Sequence, residues 1–87
     1  MIDVTKQDNE TFKVTVEENG SSSHHTVKLT DAYHQKLTGG NTAKEDLIKK
    51  SFEFLLKRES KESILSSFDL PTIKRYFPEY ESTIGKD

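Results

Sequence analysis

AKEDLIKKSFEFLLKR, Ala43 to Arg58, is the one long stretch of this chain with a sustained helical period. Set out at about 100° per residue, Asp46, Lys49, Lys50, Glu53 and Lys57 fall in one polar arc. Leu47, Ile48, Phe52, Phe54, Leu55 and Leu56 occupy the rest. A helix lying on a single surface needs an apolar stripe only somewhat wider than about 100°. This one is apolar around more than half its circumference, so it needs cover from more than one side. It is expected to be the core of the domain, with a second copy of the chain as one source of cover. Thr42, followed three residues later by Glu45, forms a capping-box pattern at its start.

Composition sets the limits around that helix. The chain has 87 residues, 31% hydrophobic and 32% charged, enough for one small domain with a lean core. It has no cysteine, so neither a disulfide nor a thiolate metal site can supplement that core. Oligomerisation is the remaining route to more burial. Thirteen basic and fifteen acidic residues are mixed along the chain for a net charge of −2, which argues against a broad nucleic-acid or membrane footprint. No basic segment followed by an apolar run opens the sequence, and no apolar run approaches the roughly 20 residues of a membrane span. A cytoplasmic protein without a membrane association is expected.

Upstream of the helix the period changes to two. Phe12, Val14 and Val16 alternate with Lys13, Thr15 and Glu17, and Asn19-Gly20 supplies a type I′ hairpin turn. The return strand runs from about 24 to 30. A turn at Asn19-Gly20 pairs Phe12 with Val27, Val14 with His25 and Val16 with Ser23, with Leu29 opposite Glu10. That register keeps the apolar residues on one face, and a slip of one residue would destroy it. Ile2 and Val4 mark a candidate third strand.

Thr30-Asp31 reads as a helix start, and Gly39-Gly40 closes a short helix carrying Tyr33 and Leu37. Beyond Arg58, Ser60 is a candidate cap for a helix holding Ile64, Leu65 and Phe68. Asp69 is a candidate cap for the next, with Pro71 in its first turn. Pro78 breaks the 3-and-4 spacing of Ile73, Tyr76, Phe77 and Tyr80, dividing the segment into two short helices, the second fading before Ile84. The expected fold class is α+β: a single domain over 1–87 in which an antiparallel hairpin (about 11–30, with a third strand at 2–5) packs against the central helix. Helices are expected at about 31–38, 43–58, 61–68 and 70–77, with a frayed tail at about 82–87.

The blocks FEFLL (Phe52–Leu56), ESIL (Glu62–Leu65), FDL (Phe68–Leu70) and RYFPEY (Arg75–Tyr80) resemble a family of short uncharacterised prokaryotic proteins. The resemblance implies a prokaryotic origin and carries no activity. The run from His25 through Gly39-Gly40 to Arg58 is similar to the strand, helix, turn and helix of ribbon-helix-helix regulators. It implies that Thr26, Lys28 and Thr30 enter a DNA groove as part of a dimer's ribbon. Here that strand already has a hairpin partner. TIKRYFPEYE, Thr72 to Glu81, resembles the recognition helix of TetR-type helix-turn-helix regulators, which would put Lys74 and Arg75 on DNA.

Chemistry is sparse. His24 and His25, adjacent on a strand, point to opposite faces and are poorly placed to share a metal, and His34 has no ligand spacing to either. Surface or edge-strand histidines are expected. Asp31, Glu45 and Asp69 sit at helix starts, where capping and the helix dipole explain them. Gly39-Gly40 lacks the Lys and Ser/Thr of a phosphate loop. No catalytic residue, metal, cofactor or small-molecule substrate is identified. The leading expectation is a non-enzymatic protein-interaction or dimerisation module of a small regulatory protein, with Phe54, Leu56 and Tyr80 as candidate partner surface. The competing one is a DNA-binding regulator or antitoxin, with Thr26, Lys28, Lys74 and Arg75 as candidate nucleic-acid contacts.

Overall fold

The computed structural model describes residues 1–84. Three strands come first, β1 (Ile2–Lys6), β2 (Thr11–Glu18) and β3 (Ser21–Lys28), each antiparallel to the next. Asn19 and Gly20 take φ of 55° and 79°, the positive angles a type I′ turn requires. Phe12 then faces Val27, Val14 faces His25 and Val16 faces Ser23. The Leu29 amide donates to the Glu10 carbonyl at 2.8 Å, carrying the pairing past the strand end. Ile2 and Val4 of β1 lie opposite Val16 and Val14 and complete the apolar face.

Helix α1 (Asp31–Thr38) is capped as its sequence predicts: the Thr30 hydroxyl accepts from the Tyr33 amide, and Gly39 ends the helix at φ 66°. Helix α2 (Lys44–Leu56) starts differently. Its N-cap is Ala43, and no side chain caps it. Thr42 is not the cap, because its main-chain carbonyl accepts from His34 Nε2 in α1 and fixes the chain one residue too early. Glu45 and Asp46 still place negative charge against the first-turn amides. The helix stops at Leu56, where the Arg58 and Glu59 amides both turn to the Leu55 carbonyl.

The two flanks of α2 are covered within one chain. On one, the Phe52 ring meets His25 and Phe68 at 5.3 and 6.0 Å between centroids. On the other, Phe54 is edge-on to Phe77 and Tyr80, with the Arg58 guanidinium 3.7 Å from its ring centre. The width of the apolar face therefore does not call for a second chain.

The segment after α2 departs most from expectation. No helix spans 61–68. Lys61–Ser63 forms one 3-10 turn, and Ser67–Asp69 is a fourth strand, β4, parallel to β3. The Thr26 amide donates to the Ser66 carbonyl at 2.8 Å, and the Leu70 amide to the Lys28 carbonyl at 2.9 Å. Ile64, Phe68 and Leu70 fit an alternating strand as well as a helix, and a run this short does not separate the two. Asp69 consequently belongs to the sheet, and Pro71 is the N-cap of α3 (Thr72–Tyr76), five residues in place of the expected 70–77. Phe77, before Pro78, leaves helical angles at φ −131° and ψ 88°, and α4 (Tyr80–Ile84) follows. Residues 82–84 of the expected frayed tail are thus helical, with Ile84 buried, and 85–87 lie outside the described residues.

The result is an α+β fold with a mixed four-stranded sheet in the order β1-β2-β3-β4. Phe12, Val14, Val16 and Val27 join the α2 residues in one core. Asp3, Lys13, Glu17, His24, Lys28 and Asp69 lie exposed on the opposite, polar face of the sheet. No helix among the described residues is long and apolar enough to cross a membrane.

Candidate partner-binding groove

Tyr80 and Phe54, two of the three residues expected to face a partner, are core. Tyr80 is 0% exposed and Phe54 4%, while Leu56 is half-buried. Their burial has a polar anchor. The Ser51 hydroxyl donates to the Leu47 carbonyl at 2.8 Å and lies 2.6 Å from the Tyr80 hydroxyl. Ser51 has one proton, and Leu47 takes it, so Tyr80 is the donor to Ser51. Burial pushes the Tyr80 hydroxyl far up from its ordinary pKa and keeps that donor protonated.

The exposed large apolar residues among those described are Met1, Leu65 and Tyr76. Leu65 (47% exposed) and Tyr76 (66%) stand on the same groove, about 180 Å³ in volume, between the end of α2, β4 and α3. Each wall follows from local structure. His25 Nδ1 lies 2.7 Å from the Leu65 carbonyl, which can only accept, so the ring donates there and pins the chain entering β4. His25 Nε2 lies 2.9 Å from the Ser23 hydroxyl. This histidine is thus buried on an interior strand, not at a surface or an edge. On β4, Phe68 pairs with Val27 and turns its ring toward the core side of the sheet, into the groove. On α3, Ile73 is buried, leaving Tyr76 at the rim. Pro78 separates α3 from α4, and Tyr80, expected at a partner surface, opens α4 and is buried while Tyr76 is exposed.

Charge is organised around this end of the molecule. Glu81 accepts from the Tyr33 hydroxyl at 2.8 Å and has the Lys36 and Lys74 ammoniums at 3.6 and 3.5 Å. The tyrosine hydrogen bond, then the two lysines, hold its carboxyl below the usual range. Tyr33 is pushed up in turn, chiefly by burial. Glu79 pairs with Arg58 at 3.1 Å, and Glu62 with Lys61, a lysine buried at the 3-10 turn. Glu59, half-buried in the groove wall, makes no ion pair among the described residues.

The candidate nucleic-acid residues are not brought together as their resemblances imply. Thr26 and Lys28 lie on β3, between β2 and β4, so neither edge of that strand is free to join a dimer ribbon. Lys74 and Arg75 lie on a five-residue helix preceded by a strand, without the first helix of a helix-turn-helix. A second hollow, about 240 Å³, is walled by Thr38, Asn41, Thr42 and Lys50 beside the Gly39-Gly40 turn. The groups held off their ordinary pKa (Asp8, Asp31, Tyr33, Glu62, Glu79, Tyr80 and Glu81) line neither hollow. Among the described residues, no group of three or more His, Cys, Asp or Glu could hold a metal ion.

In comparisons with known proteins, no family model matches the chain, and neither a curated protein nor a solved structure matches it.

Proposed function

We propose that this chain is a non-enzymatic, cytoplasmic protein-interaction module of a small prokaryotic regulatory protein, and that it docks another polypeptide over the groove between Leu65 and Tyr76. The observation that carries the reading is the pairing of two large exposed apolar side chains with one apolar groove. Single exposed apolar residues are ordinary; two on the rim of a shared concavity are what partner surfaces present. Tyrosine suits such a rim, with a broad apolar ring and a hydroxyl that can stay hydrated. The prokaryotic setting rests on the sequence blocks between Phe52 and Tyr80 alone. The DNA-binding alternative lacks a comparable support, since the elements it invokes do not adopt its docking geometry.

A photo-crosslinking amino acid placed at Tyr76 tests the proposal in cells producing the protein. A discrete adduct is expected from position 76 and none from position 15, on the polar face of the sheet. No adduct from position 76, or the same adducts from both positions, would contradict it.

A further inference from the structure

We infer that the occupant of the groove is a second copy of this chain, resting on the reading of the groove as a docking site. The two copies meet about a two-fold axis: Tyr76 enters the partner subunit's groove, and Arg75 meets Glu59 of the partner subunit.

Four features carry this. Tyr76 projects from α3 at 66% exposure, and the groove it borders is open beside it. A projecting ring next to a hollow is the arrangement an isologous contact uses, because one axis passing between them seats both rings at once. Arg75, the residue before that ring, is exposed and makes no ion pair among the described residues. Lys74 is committed to Glu81, and Arg58 to Glu79. Glu59 in the groove wall is the opposite charge left over.

Glu59 is half-buried and has no ion-pair partner among the described residues, and a carboxylate taken further from water is favoured by an arriving cation. A ring entering the groove would bury Glu59 further, so an occupant should bring positive charge with its apolar group. The dipeptide Arg75-Tyr76 supplies both: Tyr76 lines the groove, and Arg75, exposed, stands next to it in sequence. The contact is therefore self-complementary in shape and in charge, and it forms twice. It differs from a dimer built to cover α2, whose flanks are already closed.

Sedimentation velocity of the full chain, from micromolar to millimolar concentration, tests the inference. The wild type is expected to shift toward a species of twice the chain mass. Glu59→Arg and Arg75→Glu should each weaken association by roughly tenfold or more, since each places like charges in contact. The double variant Glu59→Arg with Arg75→Glu should restore it, and Tyr76→Ser should abolish it. These positions are at or near the surface, and circular dichroism of each variant checks that it is folded. A dimer indifferent to both single reversals, or one the double variant does not restore, overturns the inference. A monomer at all concentrations that still crosslinks from position 76 to a different polypeptide overturns it and leaves the proposed function standing. A monomer that crosslinks to nothing overturns both.

Discussion

Tyr80 and Ser51 show how a single polar contact can place an aromatic residue. The hydroxyl chain from Tyr80 to Ser51 to the Leu47 carbonyl lies wholly inside the core, with each proton assigned. Tyr80→Phe removes one hydroxyl and leaves Ser51 its bond to Leu47, so it is expected to cost about 1 kcal/mol. Ser51→Ala strands the buried Tyr80 hydroxyl and is expected to cost more, about 1–3 kcal/mol. The double variant removes both groups and should be less destabilised than the two single effects together. Urea unfolding of the four proteins measures this; strict additivity would show that the two hydroxyls do not communicate. Nothing in the sequence pairs residues 51 and 80. Ser51 falls inside the apolar face of α2, between Leu47 and Leu55, and only the fold brings α4 against it.

Among the elements, the hairpin was the most legible. Alternation and the Asn19-Gly20 turn demand one register independently, and that register is present. Helix α1 was legible for a related reason, since Thr30 and Gly39 mark its ends with local chemistry. Strand β4 was not. Its three residues give no period, and its place beside β3 depends on long-range contacts such as His25 with the Leu65 carbonyl. Misreading it carried the next error with it, because Asp69 looks like a cap only if a helix follows directly. The two threonines before helices separate signal from geometry. Thr30→Ala should destabilise the protein by about 1 kcal/mol, the usual worth of a cap. Thr42→Ala should cost far less, since only its main-chain carbonyl is used. Comparable thermal losses from both would show that Thr42 caps α2 after all.

The whole molecule is a thin two-layer domain whose surface ion pairs concentrate on the helical side. Glu81, Asp31, Glu62 and Glu79 all have carboxyl pKa values below the ordinary ones, Glu81 first through Tyr33 and Asp31 first through Lys44. The unfolded chain therefore takes up protons at higher pH than the folded one. The stabilisation they give is complete above their unfolded values, 4.5 for Glu81, and is lost as pH falls through the lower folded values. The urea midpoint should hold steady from neutral pH to about pH 5 and then fall toward about pH 3. Glu81→Gln should fall less steeply, and an unchanged slope would show that this cluster does not link protons to folding. The candidate groove belongs to this scale too. The sequence offered its aromatic residues and the break at Pro78, but packing sets the phase of the short helix beyond that break, burying Tyr80 and exposing Tyr76 in exchange.

That exchange makes the groove the point on which the functional reading turns, and amide spectra of the labelled chain across a concentration series test it most directly. Signals of Leu65, Phe68 and Tyr76 should move together as concentration rises, while those of Lys13 and Thr15 on the polar sheet face stay fixed. Stationary groove signals, or movement centred on Lys13 and Thr15, would contradict self-association through the groove.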